Sequence, residues 1–501
     1  MMAPISSQFS PNQGIVMSDW PRVSCRPAWR QLPKVINSLP VFNKSKAFRV
    51  TAMALGMMAM VLFNLAGSAL AGQRILRDAE IETLLRDYAR PILRAAGLNP
   101  NSIRVILVDD PAINAFVTDH NRMFIFTGLL LESDTPNEVI GVIAHETGHI
   151  TGGHLSQLRE QIRRASTAQI ITMLLGTAAA VAAGASGSNQ GVSAGVGIMQ
   201  GGQHMLMRNF LAYRRVQEAS ADQAAMTYLK RTRQSAKGMN TVFNKLANQM
   251  MVTLKYADPY ALSHPTPRSR MGLMERRAKA SPYYDKKDSA ELQLRHDLMK
   301  AKLYGFTKGL GSVQRKYKSS DKSLPARYAR AIATYRNSGI RRAAREIDQL
   351  IRSQPSNPYY HELKGQALLE AGQAAAAIGP LQKALSLAPN AALIRIMLAH
   401  ALLYSGRKGA PDLAIRHLNK ALLSERNNSE PYRLLAEAFA KKGNIALAQL
   451  NSAERFLRQG NTSLAYTQAK RAQSKLRKGT PAWLRASDIL ALKKLKTKRK
   501  R

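Results

Sequence analysis

Cysteine is almost absent: Cys25 is the only one in the 501 residues. One thiol cannot make an internal disulfide, and a chain that loses its first 71 residues has no thiol at all. Such a mature chain has no cysteine nucleophile and no lipidated N-terminal cysteine. Acidic residues are also scarce, at 32 Asp+Glu against 74 Lys+Arg, a formal charge of +42. That imbalance points to an anionic partner: nucleic acid, an acidic membrane surface or acidic substrates. The apolar fraction of 45% is ordinary for globular protein and argues against wholesale disorder. The length allows two or three domains, each with a core.

The most apolar uncharged run, residues 50–66, is short for a bilayer span. Lys44, Lys46 and Arg49 precede it, and Ala69-Leu70-Ala71 follows. A basic region, an apolar region and an A-x-A site in that order predict a signal peptide cleaved after Ala71; a retained membrane anchor is the alternative. The stretch before Lys44 is long for such a leader, which leaves room for a start codon further downstream. Removing residues 1–71 takes away seven basic residues and one acid, so the mature charge is +36. On an exported chain this charge favours anionic envelope components, lipopolysaccharide or phospholipid headgroups, over nucleic acid.

From Arg77 to Ala96 a stripe of Ile81, Leu84, Leu85, Tyr88 and Ile92 predicts an amphipathic helix. Ile103–Val108 and Arg122–Phe126 read as short strands. A second helix begins at Thr135-Pro136-Asn137-Glu138, with Thr135 as N-cap, Pro136 in the first turn and Glu138 closing a capping box. Residues 170–184 are Ala-rich and too short to span a bilayer, and 184–203 are Gly/Ser/Gln-rich: a buried or interfacial helix, then a flexible loop. Another helix is expected from Phe210 to Lys230, and residues 282–324 read as a charged linker.

Beyond Pro325 the chain repeats itself. Gly365, Ala399 and Ala436 fall in one column, Ala377, Ala414 and Ala448 in a second, and Gly372, Gly406 and Gly443 in a third. Ala384 pairs with Ala421 and Pro355 with Pro389, while Ala331 and Ala343 mark an imperfect earlier copy. A period near 34 residues, with small side chains where paired helices touch, resembles the tetratricopeptide repeat. The repeat domain is expected over 325–475, with a solvated basic tail over 476–501.

Chemistry concentrates at His145-Glu146-Thr147-Gly148-His149. Positions i and i+4 share a helix face, so both imidazoles can meet one metal ion, and Glu146 can act as general base on its water. Zinc suits such N/O ligands, and a catalytic site needs a third protein ligand. The H-x-x-G-x-x-H extension fails by one residue, because His154 stands where position 155 is required. Glu160 and Glu218 remain as carboxylate candidates. Glu218 opens E-x-x-x-D, so Asp222, one turn on, can orient a ligand histidine; an ordinary surface acid is the alternative. Ala219, Ala221, Ala224 and Ala225 allow that helix to pack closely.

With Asn114-Ala115-Phe116, a strand ending in Thr127-Gly128-Leu129-Leu130, Ser263-His264-Pro265-Thr266-Pro267 and Arg270 added, residues 75–280 resemble the M48 family of zinc metallopeptidases. Leader, M48 domain and repeats together resemble the β-barrel assembly-enhancing group of that family. The resemblance implies a mainly α fold: a gluzincin-type metallopeptidase domain with a small β-sheet over 72–281, followed by an α-solenoid of tetratricopeptide repeats. It implies a zinc endopeptidase with one zinc per chain on His145, His149 and Glu218, and Glu146 as the catalytic group. Asp222, His264 and Arg270 become catalytic or regulatory candidates. His264 would sit near the metal and fill its open position in a resting state; without the resemblance it reads as a loop histidine. The expected location is the periplasm, peripheral to a membrane. The expected partners are unfolded or misassembled envelope proteins, the outer-membrane assembly machinery and the anionic envelope surface, with no nucleic acid. The alternative function is a chaperone or scaffold that binds clients through its repeats while the protease stays latent.

Overall fold

The computed structural model describes residues 15–16, 74–118, 121–161, 163–164, 167, 212–252 and 268–498. The leader's apolar run, the Ala-rich and Gly/Ser/Gln-rich stretches and His264 lie outside them. Among the described residues no helix is long and apolar enough to cross a membrane.

A five-stranded mixed sheet comprises β1 (Ile15–Val16), β2 (Ile75–Arg77), β3 (Arg104–Val108), β4 (Ala115–Thr118) and β5 (Arg122–Phe126), in the order β1-β2-β3-β5-β4. The central β3 and β5 run parallel from Arg104↔Arg122 to Val108↔Phe126. β4 pairs antiparallel with β5 and forms an edge. The strands at β2 and β4 were not apparent in the sequence, being only three and four residues long. Thr127–Leu130, expected to end a strand, instead open helix α2 (Thr127–Glu132). Gly128 is needed there, since a Cβ would lie 2.1 Å from the carbonyl oxygen of Pro111.

The first helix, α1 (Ala79–Ala95), starts where Asp78 accepts from the Ile81 amide at 2.9 Å. Its acidic first turn, Glu80 and Glu82, complements the helix dipole. The stripe foreseen in the sequence is buried: Ile81, Leu84, Leu85, Tyr88 and Ile92 are at most 1% exposed. Helix α3 (Pro136–Thr151) is buried on every side through Ile150. Its N-terminus is not closed by a capping box, because Thr135 makes no side-chain bond to it. Asp288, 151 residues away, accepts from the Asn137 amide at 2.9 Å, and Glu138 instead meets Lys245 at 2.8 Å. The cap came from tertiary structure.

Next come α4 (154–161), α5 (212–231), α6 (Lys237–Val252) and α7 (Arg268–Lys279). The stretch read as a linker contains α8 (Ala290–Thr307) and α9 (Leu310–Lys316), and Leu298, Met299, Leu303 and Phe306 of α8 are in the core. Five helix pairs then stack: α10/α11 (Leu324–Ser338, Ile340–Ser353), α12/α13 (Pro358–Glu370, Ala374–Leu387), α14/α15 (Ala392–Tyr404, Ala410–Ala421), α16/α17 (Glu430–Lys441, Ile445–Arg458) and α18/α19 (Thr462–Gln473, Pro481–Lys498). Packing continues into the stretch read as a tail, where Ala486 and Ile489 of α19 are buried.

The repeat columns have physical causes. A Cβ on Gly365 would lie 2.4 Å from Leu381 Cγ, so small residues there let the two helices of a pair touch. Gly372, Gly406 and Gly443 turn between paired helices with φ of +77°, +71° and +72°, the left-handed region that glycine tolerates. The first repeats share one core with the N-terminal half: Tyr328, Ile332 and Ile347 cluster with Leu84, Val142 and Met239. Charge joins them too. Lys302, 3% exposed, lies 2.7 Å from Asp78, 3.2 Å from Glu80 and 3.8 Å from Glu362.

Candidate metal centre

α3 carries His145, Glu146 and His149 into the interior, where they are 0%, 0% and 8% exposed. α5 crosses close by, because a Cβ on Gly148 would lie 2.7 Å from the Ala221 carbonyl oxygen. A glycine facing an alanine is what lets α5 bring its own groups, Glu218 and Asp222, against α3. Both are buried, so Asp222 is no surface acid.

Three candidate ligand side chains converge. His145 Nε2 and His149 Nε2 are 3.1 Å apart, His145 Nε2 and Glu218 Oε2 3.3 Å, and His149 Nε2 and Glu218 Oε1 3.5 Å. Ligands about 2.05 Å from a tetrahedral ion stand about 3.3 Å from one another, so the observed spacing is that of a zinc-sized first shell. Among the described residues His145, His149 and Glu218 are the group able to hold a metal. Glu160 is not part of it: that side chain is exposed, bonded to Arg163 at 2.7 Å and Arg164 at 2.9 Å, and those contacts hold its pKa down at about 2.

Three acids, Glu146, Glu218 and Asp222, meet one guanidinium, that of Arg270 on α7, which makes the site acidic enough to attract a cation. Arg270 Nη1 is 3.0 Å from Glu218 Oε2, Nη2 donates to Asp222 Oδ1 at 2.8 Å, and Nε pairs with Asp222 Oδ2. Its guanidinium also lies 5.3 Å from the Phe243 ring, which contacts His145 edge-on. Arg270 therefore clamps α7 to both acids of α5.

Each histidine has a partner on its far nitrogen. His145 Nδ1 is 3.0 Å from Asp222 Oδ1, which fixes the ring and leaves Nε2 for a metal. Burial disfavours the imidazolium of His145, yet Asp222 and Glu218 outweigh it and raise the pKa to about 9, a sign of how strongly the pocket draws positive charge. Burial pushes Asp222 upward, but Arg270 and His145 more than offset it and hold its carboxyl below the ordinary range. His149 Nδ1 is 2.9 Å from His154 Nδ1. His154, set aside in the sequence as a ligand, is buried beside a candidate ligand, His149. The available signal was Gly152-Gly153, a break that restarts the chain as α4 at His154 itself.

Residues 76–278 match the model of peptidase family M48. The His/His/Glu cluster lies inside the matched region, so residues 76–278 form an M48 peptidase domain. The chain as a whole is similar to the β-barrel assembly-enhancing protease of Yersinia pestis, 26% identical over 72% of this chain and 74% of the relative. It is similar to the protease of that name from Escherichia coli K12, 24% identical over 80% and 81%. A shorter likeness, 30% identical over 17% of each chain, links it to the mitochondrial metalloendopeptidase OMA1 of Arabidopsis thaliana.

Proposed function

We propose that this chain is a periplasmic zinc endopeptidase in which His145, His149 and Glu218 hold one zinc and Glu146 is the general base. Its repeats present unfolded or misassembled proteins from outer-membrane β-barrel assembly. The observation that carries the reading is the approach, at 3.1–3.5 Å, of His145 Nε2, His149 Nε2 and the two oxygens of the Glu218 carboxylate to one another beside the buried Glu146. Zinc, when bound, supplies a Lewis acid that acidifies water and polarises the scissile carbonyl. Glu146, next to the first ligand, takes the proton of the attacking water on a carboxylate oxygen and passes it to the leaving amine. Asp222 and Arg270 act through their neighbours: Asp222 orients His145, and Arg270 holds Asp222 and Glu218 in place.

Substrate has a place to lie. β4 forms the sheet edge and packs against α3, an arrangement suited to a client that adds as an extended strand. The activity named for the relatives supports clients of outer-membrane assembly, and the +36 of the mature chain supports residence at an anionic envelope surface. We further propose that His264 regulates access to the metal. Only five residues separate it from Arg270, which is anchored on the Glu218 and Asp222 side chains.

Stripping metal with a chelator should abolish hydrolysis of an unfolded outer-membrane protein, and one equivalent of zinc should restore it. Protein recovered from the cell envelope should begin at or near Gly72. Hydrolysis that persists without metal would overturn the proposal. If loaded and stripped protein suppressed aggregation equally while neither cleaved, the repeats would be acting alone as a chaperone.

A further inference from the structure

We infer that His154 is the positioning residue of the second metal ligand: it accepts the Nδ1–H of His149 and so turns His149 Nε2, lone pair outward, toward the metal. This rests on the reading of the cluster as a zinc centre and adds a residue that the HExxH pattern and the Glu218 helix do not contain.

The two Nδ1 atoms are 2.9 Å apart and both rings are buried, His149 8% and His154 7% exposed. At that separation between neutral imidazoles one nitrogen carries the hydrogen and the other accepts it. His149 Nε2 lies 3.1 Å from His145 Nε2 and 3.5 Å from Glu218 Oε1, so in the zinc reading its lone pair is the one that faces the metal. The hydrogen of His149 is then on Nδ1, His154 Nδ1 is the acceptor, and His154 carries its own hydrogen on Nε2.

Three features hold His154 in this role. Gly153 ends the helical run with φ of +62°, a conformation that favours glycine, and His154 opens the next helix. The backbone oxygen of His154 accepts from Gln217 Nε2 at 3.1 Å, and Gln217 is the chain neighbour of Glu218. Its ring also occupies the space where residue 152 would carry a side chain: a Cβ on Gly152 would lie 2.3 Å from His154 Nε2 and 2.7 Å from Cδ2. Residue 152 has to be glycine for the ring to sit there.

The choice of imidazole has a charge rationale. His145 is oriented by a carboxylate, Asp222, which Arg270 neutralises. A second carboxylate behind His149 would bring a fourth negative charge to a pocket that already holds three acids and one guanidinium. A neutral imidazole fixes the ring and tautomer without that cost.

The test uses the full-length mature protein and two readouts other than turnover. Zinc affinity is measured by chelator competition for wild type, His154→Ala, Gly152→Ala and His154→Asn. Histidine-selective 15N NMR of metal-free wild type reads the His149 tautomer. His154→Ala and Gly152→Ala should each weaken zinc binding about 10- to 100-fold, the usual cost of losing a ligand's outer partner. His154→Asn, whose Oδ1 occupies the place of the ring's Nδ1, should recover several-fold of that loss, and His149 should appear as the Nδ1–H tautomer. Unchanged zinc affinity in His154→Ala, equal affinities for Ala and Asn, or a His149 Nε2–H tautomer would overturn the inference and leave the zinc centre standing. Failure of wild type to bind zinc would instead overturn the proposed function. The tautomer measurement needs no variant, so it decides even if a substitution fails to fold.

Discussion

Replacing Gly148 with alanine would drive a Cβ into the backbone of α5. It would stand 2.7 Å from the Ala221 carbonyl oxygen and 2.9 Å from Ala221 Cα, where ordinary contact begins at 3.4 Å. Backbone cannot step aside by changing rotamer, so α5 must retreat by about 0.7 Å at that point, and Glu218 and Asp222 retreat with it. The His145–Glu218 separation would open from 3.3 Å to about 4 Å, beyond the edge of a tetrahedral zinc shell. Sites of this kind tolerate displacements of about 0.5 Å. Overpacking of this sort costs about 1–3 kcal/mol. For a domain near 200 residues that lowers Tm by about 2–4 °C per kcal/mol. Zinc affinity should fall about tenfold or more, the scale of a lost ligand support. Gly141→Ala is the control. It makes the same kind of clash, 2.7 Å from Met239 Cβ and 2.9 Å from Met239 Cα, but against α6, which carries none of the three ligands. Both variants should melt earlier, and only Gly148→Ala should lose zinc in chelator competition. Equal zinc affinity for the two would refute the claim that the α3–α5 approach sets the ligand geometry.

Glu362→Gln tests the buried charge junction. Burial beside Asp78 and Glu80 raises the Glu362 pKa to about 8 despite Lys302. Between about 4.5 and 8 the folded chain therefore holds a proton that the unfolded chain releases, and stability falls as pH rises through that window. Wild type should lose more Tm than Glu362→Gln between pH 5 and pH 8, and identical slopes would contradict this. Deleting residues 325–501 should cripple even short-peptide hydrolysis, because the cut removes Tyr328, Ile332 and Ile347 from a core shared with α1 and α3; full activity on a short peptide would show that the peptidase half stands alone. His264→Ala should change the rate on an unfolded protein at equal zinc occupancy, upward if His264 blocks the metal and downward if it assists the reaction. An unchanged rate would return it to an ordinary loop residue.

What was legible in the sequence was local or periodic. The i, i+4 histidines, the α1 stripe and the small-residue columns of the repeats each follow from helix geometry within a few residues. The placing of Glu218 and Asp222 beside the histidines was readable because E-x-x-x-D sets both acids one turn apart on the same face of α5. What escaped depends on contacts across the chain. Thr135 and Glu138 have the sequence of a capping box, yet Asp288 reaches the helix end and Lys245 takes Glu138. The charged stretch at 282–324 looked like a linker because Lys302 carries a full charge; its partners Asp78, Glu80 and Glu362 are far away in sequence. His154 was judged only as a ligand, and its position behind His149 depends on a glycine turn and on Gln217 of another helix.

The central claim is that three side chains hold the metal while a fourth performs the proton transfer. Zinc content and hydrolysis of an unfolded protein, measured on the same preparations of wild type, Glu146→Gln and Glu218→Gln, separate those roles. Wild type should carry one zinc per chain and cleave, Glu146→Gln should carry one zinc and fail to cleave, and Glu218→Gln should lose both the zinc and the activity. Cleavage by Glu146→Gln, or full zinc in Glu218→Gln, would contradict the account.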